Sequence, residues 1–270
     1  MRRIGGLPFL RSIFMPAILE TNREGRVLQV SLNRTEKRNA LNVELCRVLV
    51  ETLEDAFADR EVGAILICGN GRHFCAGMDL SEVSAATADS ISDAQERLFT
   101  IGSRAEKPIV AAVEGASLGG GMGLVGNCHL VVAHPEATFG LTEIRLGLWP
   151  FLVYRALSAG LGERHVLDLA LTGRVFGAAE AKEIGLVQEV TASTRARATQ
   201  IARAVSEFSP TTIRSGLRFA LEVRGQDWET AGRIARRMRD QVFASGDFQE
   251  GLRAFVEKRT PRWPSVHGQH

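Results

Sequence analysis

A chain of 270 residues, with 45% hydrophobic and 24% charged side chains, has a globular composition and enough length to bury a full core. Its formal charge of +2 is too balanced to mark a nucleic-acid or membrane surface, and Pro8, Arg11 and Pro16 break up the basic, partly apolar start before a membrane-length run develops. Cys46, Cys68, Cys75 and Cys128 lack zinc-like spacing and are too few for a disulfide framework, so reduced thiols and a cytoplasmic protein are expected.

Residues 1-16 read as a disordered extension, with a weak targeting peptide as the alternative. Val27 to Leu32 reads as a strand, and "NRTEKRN" after it as a turn. Asn42 is placed to cap a helix running to about Asp59, with Leu45, Leu49, Leu53 and Ala56 on one face. "GAILICG", Gly63 to Gly69, is a glycine-bounded apolar strand of the kind buried on both faces, and the loop "NGRHFCAGMDL" follows. Ser81 to Gln95, rich in Ser, Ala and Thr, reads as mobile or weakly helical. "KPIVAAVEG" is a second buried strand, then comes "GASLGGGMGLVGNCHL", and "LVVA" and "ATFG" are short strands.

Beyond Pro150 the pattern turns helical, with Gly185 placed to end one helix in a left-handed cap and "LVQEV" supplying a last strand. From Ser193 onward only helical periods remain, including Ile201 to Phe208, Ile213 to Leu221 and Trp228 to Phe243. Alternating strands and helices followed by helices alone define an α/β body, 17-192, with a helical tail, 193-270.

Gly119, Gly120 and Gly121 sit where a buried strand enters a helix. Glycine is costly to order, so three in a row need a reason. One reading is close helix-on-strand packing. The other is exposure of backbone N–H groups to a phosphate or oxyanion. The chain has no G-x-x-x-x-G-K-[ST] motif, which disfavours phosphate. "HFCAGMDL" is a second glycine-punctuated loop, and convergence of the two would let two N–H groups grip one oxygen.

Together these stretches resemble the crotonase, or enoyl-CoA hydratase/isomerase, family. "LNRTEKRNALN" is similar to its first turn, "HFCAGMDL" to F-x-x-G-x-D, and "KPIVAAVEGASLGGG" to its strand-and-glycine turn. "ATFGLTEIRLGLWP" is similar to F-G-x-x-E-x-x-x-G-x-x-P, and "LTGRVFGAAEAKEIGLVQEV" and "EGLRAFVEKR" follow in register. The resemblance implies a spiral of repeated ββα units with a C-terminal helical region, assembled as trimers or pairs of trimers, acting on acyl-CoA with no metal or redox cofactor. It implies an oxyanion hole from the N–H groups of Met78 and Gly120, and a CoA arm lined by Ala76, Met78, Asp79, Leu80 and Ser81. Phe255 and Lys258 would help cover CoA, on the same or a neighbouring subunit.

Family hydratases carry two glutamates. The position two past the last glycine is Gly123 here, while the second is present as Glu143. Water addition calls for a base for water and a proton donor for carbon, whereas a double-bond shift needs one base that returns the proton it takes. The expectation is therefore a 3-enoyl-CoA to 2-enoyl-CoA isomerase with Glu143 as the acid/base. The alternatives are a hydratase lacking the second glutamate and a non-catalytic acyl-CoA-binding scaffold. Trp149 and Phe151 are expected either to shape a dry acyl pocket or to be core. His129 and Cys75 are expected to be structural or spectator groups, and Tyr154 core-facing or a satisfied surface group.

Overall fold

The computed structural model describes residues 17–82 and 88–268, so the expected 1-16 extension and part of the 81–95 segment lie outside the described residues. β1 (Leu19–Glu24) and β2 (Val27–Leu32) form an antiparallel hairpin that turns at Gly25, whose φ of +58° suits glycine. α1 (Val43–Ala58) starts at Asn42, whose side chain accepts the Leu45 N–H at 2.9 Å, as the capping rule predicts. β3 (Ala64–Gly69) follows, then α2 (Ala88–Phe99) where a mobile or weakly helical stretch was expected.

β4 (Ile109–Val113) leads through β5 (Ala116–Leu118) into α3 (Gly120–Gly126). β6 (Leu130–Ala133) leads through β7 (Thr138–Gly140) to α4 (Phe151–Leu161) and α5 (Glu163–Thr172). β8 (Val175–Gly177), α6 (Ala178–Glu183) and β9 (Glu189–Val190) complete the strand-bearing part. Then come α7 (Thr194–Ser206), α8 (Pro210–Glu222), α9 (Trp228–Phe243), α10 (Gly246–Glu257) and α11 (Pro264–His267).

The larger sheet has the order β1-β2-β3-β4-β6-β9 and is parallel from β2 onward; the smaller is β5-β7-β8. β4 and β6 join the large sheet while their successors β5 and β7 join the small one. This repeated handover from sheet to sheet makes the ββα spiral.

Period-two alternation explains why β3 and β4 read as unbroken apolar runs. Ile65, Ile67, Ala111 and Val113 face the main core with α1, α3 and α4, while Ala64, Leu66, Val110 and Ala112 face Ala198 and Ala202 of α7. α7, the first helix of the expected tail, thus lies directly on the sheet. β1 and β8 were not anticipated from sequence. β1, LETNRE, is exposed along all but its first residue, and β8 is three residues long, so neither carries a hydrophobic period. Among the described residues no helix is long and apolar enough to cross a membrane.

Candidate active site

The loop after β3 and the glycine turn before α3 lie side by side. Cys75 pairs with Ser117 in an isolated bridge: Cys75 N–H donates to Ala116 O at 3.0 Å, and Leu118 N–H to Cys75 O at 3.0 Å. On the other side, Leu41 N–H donates to Gly77 O at 2.7 Å and Asp79 N–H to Leu41 O at 2.9 Å. Those bonds use the Gly77 carbonyl and the Asp79 N–H, on either side of the Met78 N–H. Among the described residues, the Met78 and Gly120 N–H groups have no backbone acceptor.

The two segments are close enough to act on one atom. A Cβ added at Gly77 would lie 3.7 Å from the Gly120 nitrogen, and one added at Gly120 would lie 3.8 Å from the Gly77 carbonyl carbon. Gly77 has a φ of +100°, which a side chain would strain, and a Cβ at Gly121 would run into the Cys75 carbonyl oxygen. The packing reading holds at all three positions, since an added Cβ would crowd Leu41 and Phe99 at Gly120, Cys75 at Gly121 and Phe99 at Gly123, while the Gly120 N–H keeps no backbone acceptor.

Glu143 opens a 3-10 turn, Glu143–Leu146, just after β7. The Gly119 N–H donates to Gly140 O at 2.8 Å, which pins the end of β7 to the glycine turn. The carboxyl then sits against Gly119, where an added Cβ would be 3.1 Å from Glu143 Oε1. Glu143 Oε2 is buried without a hydrogen-bond partner. Burial raises the Glu143 carboxyl above its ordinary range, opposed by its own backbone N–H. A half-buried, proton-hungry carboxyl beside two unspent amides is suited to moving protons next to a carbonyl.

The turn "NRTEKRN" is the scaffold of this loop. Asn39, fully buried in the left-handed region at φ 56°, donates through Nδ2 to Asn70 O at 3.0 Å and His73 O at 2.7 Å. Its Oδ1 accepts the Arg34 N–H at 2.9 Å. Arg34 donates to Ala40 O at 2.5 Å and pairs with Asp79 at 2.9 Å, both side chains being buried. The Ser81 hydroxyl, 2.5 Å from Asp79 Oδ1, and then Arg34 hold the Asp79 carboxyl below its ordinary range. Nothing in the sequence pattern pointed to Arg34, because its partner lies 45 positions away.

Of the residues expected to bind CoA, Ala76, Met78, Asp79, Leu80 and Ser81 follow the bridged strand, with Leu80 and Ser81 exposed. The Asp79 side chain is committed to Arg34 and Ser81. Phe255, 84% exposed, and Lys258 sit at the end of α10, which packs against α9 and α11. Phe151 is 73% exposed, so within one chain it is neither core nor the wall of a dry pocket. Trp149 is half-buried beside the ring of Tyr154. His129 Nδ1 accepts the Ile109 N–H at 3.0 Å, and burial pushes its pKa down to about 4, so it caps β4 as a neutral ring. Burial pushes the Cys75 thiol up to about 12, which makes it a poor nucleophile. Among the described residues no group of three or more His, Cys, Asp or Glu is placed to hold a metal ion.

Fold and site define a crotonase-fold enzyme. The model of the enoyl-CoA hydratase/isomerase family matches residues 22–266, and the chain belongs to that family. It is 36% identical to a 2,3-dehydroadipyl-CoA hydratase of Escherichia coli, covering 90% of this chain and 97% of that protein. It is 34% identical to an enoyl-CoA hydratase of Mycobacterium tuberculosis, covering 89% and 94%. An enoyl-CoA hydratase structure from Bacillus anthracis superimposes with a TM-score of 0.87 at 27% identity, covering 92% of this chain and all of that one. These relatives bear hydratase names rather than isomerase names.

Proposed function

We propose that this protein acts on enoyl-CoA thioesters, with the Met78 and Gly120 amides receiving the thioester oxygen and Glu143 as the single acid/base. The observation that carries the reading is the buried, unpartnered Glu143 Oε2 against the glycine turn whose next amide is unspent. Enolate charge collects on the carbonyl oxygen, and amides aimed there stabilise it more than the starting thioester; one such donor is worth about 10²–10³ in rate. Loop residues 76–81 line the CoA arm in this reading, and Phe255 and Lys258 cover CoA from the same or a neighbouring chain of a trimer or pair of trimers. No metal or redox group takes part.

For the net reaction, hydration of a 2-enoyl-CoA is the leading reading, on the names of the relatives. Water's oxygen bonds to the β-carbon and gives a proton to one oxygen of the Glu143 carboxyl, while the other oxygen delivers its proton to the α-carbon. The double-bond shift is kept as a second reading because Gly123 supplies no second acid. The same carboxylate would then take a proton from the α-carbon of a 3-enoyl-CoA and return one to the γ-carbon.

A panel of 2-enoyl- and 3-enoyl-CoA esters in heavy water tests both. Hydroxyacyl product from the 2-enoyl ester supports hydration, and 2-enoyl product from the 3-enoyl ester supports the shift. Ester binding without product or α-deuterium on any member would overturn both readings.

A further inference from the structure

On α3, Gly123 lies one turn beyond the Gly120 amide, and what fills the space beside it comes from a distant part of the chain. A Cβ at Gly123 would lie 2.6 Å from both Cδ1 and Cε1 of Phe99 and 3.0 Å from Val153 Cγ2. The same ring reaches Gly120, whose added Cβ would be 3.2 Å from Phe99 Cζ and 3.0 Å from Leu41 Cδ1. Phe99, the last residue of α2, is only 4% exposed.

The ring is held there by the backbone. Buried Asn127 donates through Nδ2 to Phe99 O at 3.0 Å and to Gly123 O at 2.8 Å, while its Oδ1 accepts the Gly102 N–H at 2.8 Å. One side chain thus ties the end of α2 to the middle of α3 at the level of the site. The clamp fixes the Phe99 backbone, and the buried ring packs with its edge against Gly120 and Gly123.

We propose that Phe99 is a specificity-determining residue. Its clamped ring occupies the volume that an acid on α3 would need and keeps that face of the site dry, limiting the enzyme to the one carboxyl of Glu143. This rests on the reading of Glu143 given above. Adding water draws on a second positioned acid or base far more than α-proton exchange does, and such a group contributes about 10²–10⁴ in rate. Opening the Phe99 volume and placing a carboxyl in it therefore raises hydration relative to exchange.

The test has two arms. In the first, thermal unfolding follows Gly123→Ala, Phe99→Ala and the pair. Gly123→Ala is expected to lower Tm in the parent and to lose most of that effect when Phe99 is truncated; additive changes overturn the assignment. In the second, hydration of a four-carbon 2-enoyl-CoA is measured against α-deuterium uptake by the matching 3-enoyl-CoA, for the parent and for Phe99→Ala/Gly123→Glu. The ratio is expected to rise at least about tenfold in the double variant. A folded double variant with an unchanged ratio reduces Phe99 to packing and also overturns the proposal. Absence of α-deuterium uptake by the parent on every ester counts against Glu143 instead, and the unfolding cycle then decides whether Phe99 and Gly123 share that volume.

Discussion

Glu143 carries a cost that the proposed proton transfer would account for. An ionised carboxyl half out of water with one oxygen unpartnered is destabilising, so the Glu143→Gln chain should unfold at a higher temperature than the parent at pH 7. The sign follows from linkage: a raised folded pKa disfavours the ionised form in the fold. The difference should therefore shrink as pH falls through the raised folded value and be gone below the ordinary value of 4.5, where both folded and unfolded chains are protonated. The same variant should lose about 10²–10⁴ in turnover with ester binding retained, and near-parental rates would remove Glu143 as the base. In the parent, the acid limb of the double-bond shift and of α-deuterium uptake should lie above 4.5, because that base must ionise against burial, whereas hydration, which starts from the protonated carboxyl, should fall as pH rises through the same raised pKa. Glu143 was legible in the sequence through its F-G-x-x-E setting; Phe99 was not, because a glycine at 123 says that something fills the space without saying what.

At the scale of elements, the site depends on short segments held edge to edge. Gly121→Ala pushes a methyl into the Cys75 carbonyl oxygen, a backbone atom that cannot swing aside. Overpacking of this kind costs about 1–3 kcal/mol. Because it separates the two amide-bearing segments, turnover should fall more steeply than stability; equal losses would show that the segments need not meet. Arg34→Met leaves Asp79 buried with the Ser81 bonds but without its cation, and removing one partner of a buried pair costs about 3–5 kcal/mol. Urea unfolding would measure it, and a loss below about 1 kcal/mol would mean the pair behaves as a surface bridge. The "NRTEKRN" turn was read as a turn and no more, since the bonds from Asn39 Nδ2 run to residues more than thirty positions away.

For the whole molecule, the question is what covers the apolar side chains left in water. Trp228 on α9, Phe255 and Val256 on α10, and Phe151 at the start of α4 are largely exposed in the single chain. A trimer or pair of trimers is expected, and sedimentation equilibrium should give the mass of three or six chains. A monomer at micromolar concentration would leave these side chains without that explanation and would place Phe255 and Lys258 out of reach of any neighbour's site.

Local order was readable wherever a period or a cap wrote it into neighbouring residues. The Asn42 cap, the apolar strands Ala64–Gly69 and Ile109–Val113, and the glycine turn with its candidate carboxyl all follow from residues close in sequence. Tertiary structure alone decided that Arg34 balances Asp79, that Asn127 clamps α2 to α3, and that an aromatic ring stands where Gly123 has no side chain. The reason is physical: a helical or strand period is a property of consecutive residues, whereas the partner of a buried charge or the filler of a missing side chain is set by which distant segments the sheet order brings together.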